Sequence, residues 1–305
     1  MVTRIVRGFS SWSRPRYAPI NWRLTTTLPA PTFDTGCTFC EPTFPPDKQI
    51  NFDQPLDRSG AIPTKHVMSL TTHDNKMDEF PSRIEDWQGT LAHEVKQLKA
   101  QIPLAEGVSV SSIVLDHHQS VLLRYGVTKS SDQLVFLYPE MKAIKFDIRH
   151  TDQFMQKYLS SPTPHKVYNP FVKSTGTTEG RAKIAVDDAN FTEMELDKDL
   201  IVTCGQTERD IRCGILGPLI TEEFDKVLTQ EGLRHECYVG QITHIGGHAF
   251  AGNVLYYPRH CESSRDFIWY GRVFPKDVQG LVEETVKEKK IVAGLFRGDL
   301  SRYEK

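Results

Sequence analysis

The sequence predicts an α/β protein of two domains, and three observations lead to this class. At roughly 150 residues per domain, 305 residues allow two separate hydrophobic cores. Apolar residues recur with helical spacing in some segments and in short strand-like runs in others, in both halves of the chain. A stretch rich in Pro, Ser, Gly and Thr, typical of a linker, lies at 161–181 between the halves. We therefore predict an N-terminal α/β domain over 34–160 and a C-terminal domain over 182–305.

The first 33 residues form a separate segment of distinct composition. They contain five Arg, no Lys and no acidic residue, with many Ser and Thr, and the first acid is Asp34. A cationic, hydroxyl-rich and acid-free N-terminus is typical of a mitochondrial targeting segment. A disordered basic tail is the alternative. The targeting interpretation predicts recognition by the mitochondrial import machinery and favours the matrix over the intermembrane space.

The N-terminal domain is predicted to begin with a long loop and to continue as a helix followed by strands. The loop covers about 34–81 and contains Cys37 and Cys40. Ser82 and Glu85 form a capping-box pattern before apolar residues at helical spacing, which predicts a helix over 83–101. Apolar and β-branched runs predict the strands that follow, and a short helix completes the domain. The predicted ranges are 108–115, 133–138 and 143–148 for the strands and 151–159 for the short helix.

The C-terminal domain has the predicted order strand, helix, strand, strand, strand, helix. Thr221 is the predicted cap of its first helix, and Pro275 lies at the start of its second. A strand and crossover helix, followed by a hairpin and a packing helix, are compatible with a small thioredoxin-like mixed sheet with flanking helices. The four predicted strands cover 200–203, 238–242, 253–257 and 267–270.

Overall composition excludes several classes of function. Apolar residues make up 39% and charged residues 25% of the chain, as in soluble folded proteins. No apolar run approaches the roughly 18 to 20 residues needed to cross a bilayer, so we expect no stable membrane insertion. The net charge of −2 and the lack of a basic cluster predict no nucleic-acid partner.

Two loops of the C-terminal domain carry the residues most suited to bind a metal. Cys204 and Cys213 occur in one loop, and His244 and His248 occur in another with glycines between them. Structural zinc sites usually take ligand pairs from knuckles with two to four intervening residues, and the spacing of the two cysteines is wider than that. A [2Fe-2S] cluster is a larger object and accepts such spacing. The residues favour a cluster and leave zinc as an alternative.

Three runs of the C-terminal domain resemble a known family. CGQTERDIRCGILGPLI, HIGGHAFAGNVLYYP and WYGRVFPKDVQGLVEETVKEKKIVAGLFRG are similar to the sucrase/ferredoxin-like family of thioredoxin-like ferredoxins. The resemblance implies a thioredoxin-like ferredoxin fold for this domain and a [2Fe-2S] cluster. Cys204 and Cys213 would bind one iron, and His244 and His248 the other. It also implies a role in mitochondrial redox homeostasis or thiol quality control, with a redox protein as partner.

Mixed ligation has a consequence for the reduction potential. Two ferric ions, two sulfides and two thiolates sum to zero charge, whereas four thiolates would leave the oxidised cluster negative. A neutral cluster accepts an electron more readily, as in Rieske centres compared with plant-type ferredoxins. We therefore expect a potential clearly above that of a four-cysteine ferredoxin.

Two other functions remain open. Cys37 and Cys40 have the spacing used by dithiol oxidoreductases, so they are candidate redox thiols of an enzyme in which the cluster is regulatory. Alternatively, the Cys/His group holds structural zinc in a binding module. A redox carrier is favoured over a stand-alone enzyme.

Overall fold

The protein has a mixed α/β structure, in agreement with the predicted class. The computed structural model describes residues 19–70, 76–161 and 184–304. Its largest element is a nine-stranded mixed sheet, accompanied by few helices and a separate pair of short strands. The division into two domains and the thioredoxin-like assignment stay predictions.

Eleven strands and five helices form in the described ranges. The strands are β1 (Arg23–Thr25), β2 (Lys65–Leu70), β3 (Val108–Leu115), β4 (Asp132–Tyr138), β5 (Lys142–Asp147), β6 (Thr192–Glu195), β7 (Asp199–Cys204), β8 (Cys237–Ile242), β9 (Val254–Tyr257), β10 (Ile268–Tyr270) and β11 (Lys290–Val292). The helices are α1 (Leu91–Leu98), α2 (His118–Arg124), α3 (Thr151–Phe154), α4 (Ile211–Gln230) and α5 (Val278–Leu281). α3 continues as a π-helical turn over Met155–Leu159, and α5 continues as one over Val282–Lys287.

Strands from both halves of the sequence lie in the same sheet. Its order is β10-β9-β7-β8-β3-β2-β4-β5-β6. β3 pairs with β8 in antiparallel register, with Ile113 opposite Ile242, and this pairing joins the two halves. β6, which belongs to the predicted C-terminal domain, pairs with β5 at the far edge. Backbone hydrogen bonds therefore run continuously across the predicted boundary.

The sheet is strongly curled. Tyr257 on β9 and His66 on β2 are four strands apart, about 19 Å in a flat sheet at the usual spacing of about 4.8 Å. Their side chains nevertheless hydrogen-bond at 2.7 Å between the Tyr257 hydroxyl and His66 Nδ1. The ring of Tyr138 on β4 also lies 4.7 Å from that of Tyr257. One face of the sheet thus closes on itself around an aromatic core shared by both halves.

Two other cores lie on the outer side of the sheet. α4 packs beside β7 and β8, and α5 packs beside α4, with Phe224 and Leu281 buried in this core. α1 and α3 pack beside the strands of the other half, where Phe154 stacks on Phe146 at 4.6 Å between ring centroids. Each helix therefore buries one face against the sheet, as expected for α/β layers.

Several predicted elements have different bounds. The predicted loop over 34–81 contains β2, a fully integrated strand between β3 and β4. The helix predicted over 83–101 begins only at Leu91, because Thr90 and not Ser82 caps it by accepting from the backbone N–H of His93. The helix predicted to be capped by Thr221 begins at Ile211, where Asp210 accepts from the backbone N–H of Arg212. Thr221 lies inside that helix and donates to the carbonyl of Gly217 instead.

The predicted targeting segment is only partly described. Residues 1–18 lie outside the described ranges, and so does most of the predicted linker, since 162–183 are not described. The later part of 1–33 is packed into the fold. β1 pairs in parallel with β11, and Trp22 is 6% exposed with its indole N–H donating to Asp266 at 2.9 Å. In the described residues, no helix combines the length and apolar character needed to cross a membrane.

Candidate metal centre

Parallel pairing of β7 and β8 brings the two candidate loops together. Cys204 is the last residue of β7 and lies opposite Ile242, the last residue of β8. His244 follows two residues later. Because parallel strands end at the same edge of a sheet, Cys204 and His244 leave the sheet at the same place. This is the edge at which ligands bind in open α/β sheets.

The start of α4 supplies the second cysteine. Asp210 caps the helix, so Cys213 lies in its first turn and faces back toward the strand. α4 also approaches the end of β7 closely at Gly217. A Cβ atom at that position would lie 2.7 Å from the carbonyl oxygen of Cys204 and 2.6 Å from Cα of Gly205. Glycine at 217 is therefore what allows the helix to hold Cys213 against Cys204.

Three of the four predicted ligands form one group. The Cys204 and Cys213 sulfurs and one ring nitrogen of His244 lie within 4.8 Å of one another. Both cysteines are buried, at 1% and 0% exposed, and His244 is half-buried. His248 is exposed and lies outside this group, but its ring centroid is 5.4 Å from that of His244. The sulfur side of the site faces the core and the imidazole side faces solvent.

The two sulfurs are coupled to each other by a hydrogen bond. A hydrogen bond from the Cys213 thiol, assisted by His244, lowers the pKa of Cys204 to about 5 against the opposing effect of burial. The same hydrogen bond and burial raise the pKa of Cys213 far above its ordinary value. Burial lowers the pKa of His248. The lowered pKa of Cys204 favours its thiolate and the lowered pKa of His248 favours its neutral imidazole, and these are the forms that bind metals.

One atom of the site lacks a partner in the described part of the chain. His244 Nδ1 is buried and has no hydrogen-bond partner there. Buried polar atoms are nearly always satisfied, so an unsatisfied nitrogen on the imidazole that approaches the two sulfurs fits a residue that binds a metal. The donor set of two sulfurs and imidazole nitrogen suits both a mixed-ligand [2Fe-2S] cluster and zinc.

Two side chains that the sequence analysis did not single out organise the loops. Gln206 accepts from the backbone N–H of His244 at 2.7 Å and donates to the carbonyl of Pro81 at 2.5 Å. Arg297, 1% exposed, donates to the carbonyl of Gly246 at 3.2 Å and to the side chain of Asn253 at 2.6 Å. The only sequence signal for Arg297 is its place as a lone cation in the apolar run IVAGLFRG.

The His244 side of the site opens into a polar cavity of about 420 Å³. The cavity is lined by Arg83 and Glu85 from the turn before α1 and by Arg209 from the Cys204–Cys213 loop. Arg83 and Arg209 are both exposed. Small molecules and protein side chains can therefore approach His244 from solvent without crossing the core.

Cys37 and Cys40 lie apart from this group and are bonded to each other. They form a disulfide with a Cα–Cα distance of 4.9 Å. Cys37 is 8% exposed, whereas Cys40 is exposed and lines a cavity of about 610 Å³ together with Phe39, Phe52 and Phe274. Buried Thr38, between the two cysteines, donates to Glu223 of α4 at 2.7 Å. The sequence placed this pair in a loop, and the structure adds its link to α4.

Comparison with known proteins identifies the family of this chain. A model of sucrase/ferredoxin-like proteins matches residues 56–298. The chain belongs to the sucrase/ferredoxin-like family. This sucrase/ferredoxin-like chain is similar to proteins named altered inheritance of mitochondria protein 32 in several yeasts.

The similarity extends over most of each relative. The protein of Meyerozyma guilliermondii is 40% identical over 279 residues, which cover 90% of this chain and 95% of that protein. The protein of Debaryomyces hansenii is 39% identical over 262 residues, 84% and 89% of the two chains. The protein of Clavispora lusitaniae is 36% identical over 273 residues, 88% and 93% of the two chains. No solved structure matches this sucrase/ferredoxin-like chain.

Proposed function

We propose that this chain is a mitochondrial redox protein that binds one [2Fe-2S] cluster and carries or senses electrons. Cys204 and Cys213 would hold the buried iron, and His244 and His248 would hold the iron that faces solvent. The observation that carries this proposal is the group of Cys204, Cys213 and His244 ligand atoms within 4.8 Å, with the His248 ring beside it. Membership of the sucrase/ferredoxin-like family and the names of the yeast relatives agree with it.

When bound, the cluster would accept and return one electron at a time. The chain's own residues would determine from which side a partner can exchange this electron with the site. Cys204 and Cys213 exclude water from one side, because both are buried against α4 and the sheet. The histidines form the solvent-facing side, where a redox protein partner can approach. We expect this partner to dock around His248 and the cavity beside His244.

The first experiment is a visible absorption spectrum combined with iron, sulfide and zinc analysis of protein purified without oxygen. We expect a brown protein with two irons and two sulfides per chain. Substituting His248→Cys should keep the cluster and shift its spectrum toward that of a site with three thiolates and one imidazole, because thiolate replaces imidazole. A colourless protein with stoichiometric zinc would overturn the proposal in favour of a structural zinc module.

A matched pair of cysteine variants tests the ligand assignment. Cys204→Ser should abolish the visible bands, because it removes a ligand from the buried iron. Cys237→Ser is the control, since Cys237 is equally buried at 1% exposed but begins β8 at the opposite end from the site. Equal loss of iron in both variants would contradict the assignment.

A second candidate function is supported by the Cys37–Cys40 disulfide. Cys40 is the exposed sulfur and faces a cavity with apolar walls, whereas Cys37 is buried. A substrate thiolate would attack the Cys40 sulfur, form a mixed disulfide and release the Cys37 thiolate. A second substrate thiol would then displace Cys40, so that the substrate dithiol is oxidised to a disulfide and the protein pair takes up the electrons and two protons.

The double variant Cys37→Ser/Cys40→Ser separates the two candidates. If the pair is the site of reaction, the variant loses disulfide exchange with a peptide that carries two cysteines, while its iron content and spectrum stay unchanged. Undiminished exchange in the double variant would exclude this second function. The measurement is the rate of peptide disulfide formation under anaerobic conditions.

A further inference from the structure

Arg297 is a buried cation without an acidic partner in the described ranges. It is 1% exposed and follows β11 in the chain. Its guanidinium donates to the Asn253 side chain at 2.6 Å, to the Gly246 carbonyl at 3.2 Å, and to the carbonyl and hydroxyl of Ser59 at 3.0 and 3.3 Å. All four acceptors are uncharged. Burial of a charge with only neutral partners is costly, so its retention calls for an anion nearby.

The acidic groups that act electrostatically on Arg297 are the two cysteines of the candidate metal centre. A Cβ atom at Gly247, which has φ +73°, would lie 2.0 Å from the Arg297 Nη2 atom, so the guanidinium lies directly against the histidine loop. Asn253 connects it to the other loop, because its backbone carbonyl accepts from the N–H of Cys204 at 2.9 Å. Burial lowers the pKa of Arg297 to about 10, and negative charge on Cys204 and Cys213 opposes this by favouring the charged form of the guanidinium.

The other buried arginine of the site is different. Arg212 lies beside Cys213 but forms an ion pair with Asp210 at 2.9 Å, so its charge is cancelled locally. Both members of this pair are nearly buried. Arg297 therefore supplies the uncancelled positive charge behind the two loops.

We infer that Arg297 is the counter-charge of the metal centre and raises its reduction potential by stabilising the reduced state. This inference rests on the proposed function. With two thiolates and two neutral imidazoles the oxidised cluster is neutral and the reduced cluster carries one negative charge. A fixed cation in a water-poor site stabilises the charged state more than the neutral one. Arg297 thus acts through the electrostatic field and through the position of the Gly246–Gly247 turn, not as a ligand.

The test compares the midpoint potentials of Arg297→Met and Arg297→Lys by redox titration followed in the visible spectrum. The Met variant should lower the equilibrium constant for one-electron reduction at least tenfold, which equals about 59 mV. The Lys variant keeps the charge and should stay within about threefold of the wild type. The matched control is Arg265→Met, which removes the same charge from an exposed position.

A second variant keeps Arg297 and cancels its charge. Asn253→Asp places a carboxylate where the amide oxygen now accepts from Arg297 at 2.6 Å, and it should lower the potential in the same direction as Arg297→Met. This variant decides the question if Arg297→Met fails to fold. Thermal unfolding of each metal-free variant shows how much the substitution affects the fold alone.

The outcomes separate this inference from the proposed function. Variants with full iron and sulfide content and the wild-type potential would overturn the role of Arg297 while leaving the cluster in place. Equal lowering of the midpoint potential by Arg297→Lys and Arg297→Met would also overturn the proposed role of Arg297. Hydrogen-bond geometry, and not charge, would then be responsible for the change in potential. A wild-type protein without iron and sulfide would overturn the proposed function, and this inference with it.

Discussion

His66 shows how a single buried side chain couples the fold to pH. Its Nδ1 contacts the Tyr257 hydroxyl at 2.7 Å and its Nε2 contacts the Ser111 hydroxyl at 2.9 Å. Both partners are neutral, and the residue is 0% exposed. Burial lowers the pKa of His66 to about 3. Between this value and about 6.5, the unfolded chain binds a proton that the folded chain does not, so protonation favours unfolding.

We therefore predict that stability falls as the pH drops below about 6.5. His66 should contribute a loss of about 2 to 3 kcal/mol in the free energy of unfolding between pH 6.5 and 4.5. Urea unfolding of the wild type and of His66→Gln at both pH values measures this loss in the free energy of unfolding. The variant is less stable at pH 7 because it loses the hydrogen bonds, but its stability should fall less on acidification. His235→Gln is the control, since the His235 side chain is 78% exposed; an equal pH slope in the wild type and His66→Gln would contradict the prediction.

The candidate ligands could be proposed from sequence because they are close in sequence and chemically distinctive. Cys204 and Cys213 are nine positions apart, and His244 and His248 are four positions apart. Arg297 and His66 could not be proposed, because their roles depend on partners contributed by distant segments. An isolated Arg or His in an apolar run carries no information about which loop or strand will cover it.

α4 is the element on which the candidate metal centre depends most directly. It carries Cys213 in its first turn, touches the end of β7 at Gly217 and reaches the Cys37–Cys40 loop through Glu223. Its start could not be predicted from apolar periodicity, because the first turn contains Arg212, Cys213 and Gly214 and lacks an apolar stripe. The strands β3, β4 and β5 agree with the predicted ranges to within one residue at each end, because apolar residues either follow one another or alternate with polar ones along each strand.

We predict that Gly217→Ala disrupts the site although alanine favours helices. Helix propensity alone would favour Ala by about 1 kcal/mol. The added methyl group would instead meet backbone atoms of Cys204 and Gly205 at 2.7 and 2.6 Å, which must move apart. Overpacking of this kind costs about 1 to 3 kcal/mol, and displacement of Cys204 should reduce bound iron.

The control for Gly217→Ala is an alanine substitution at a glycine where a Cβ atom would meet no other atom. Gly294→Ala is the control, since nothing lies within 4 Å of a Cβ atom there. Iron per chain and the urea midpoint are measured for both variants. Wild-type iron content in Gly217→Ala would show that α4 and β7 can separate without affecting the ligands.

The whole molecule is organised around a sheet shared by the two halves of the chain. The mixed α/β class followed from the alternation of periodic segments, but the shared sheet did not. β2 lies between β3 and β4, and its sequence, KHVMSL, shows neither an unbroken apolar run nor a strict alternation of polar and apolar residues, so the pattern alone does not indicate a strand. The pairing of β3 with β8 joins residues far apart in sequence, and no local pattern specifies such a partner.

The packing of residues 20–33 yields a prediction about the N-terminus. A chain that starts at residue 34 should be strongly destabilised relative to a chain that starts at residue 19, because it lacks β1 and Trp22. Trp22→Ala in the full chain should cost about 3 to 5 kcal/mol. The control is Arg23→Ala, since the Arg23 side chain is 56% exposed. Equal midpoints for the two truncated chains would show that the fold begins after residue 33.

The contacts between the first and last segments also determine when the molecule can finish folding. Trp22 bonds to a residue 244 positions later, and Ser59 receives its hydrogen bonds from Arg297, 238 positions later. During vectorial synthesis or threading through a membrane pore, the leading strand must wait for the trailing end before it can pair. Contacts of such high sequence separation form late and slowly. Arg297 can contact the loop of His244 and His248 only at that moment. We therefore expect metal binding at the candidate centre to follow release of the complete chain.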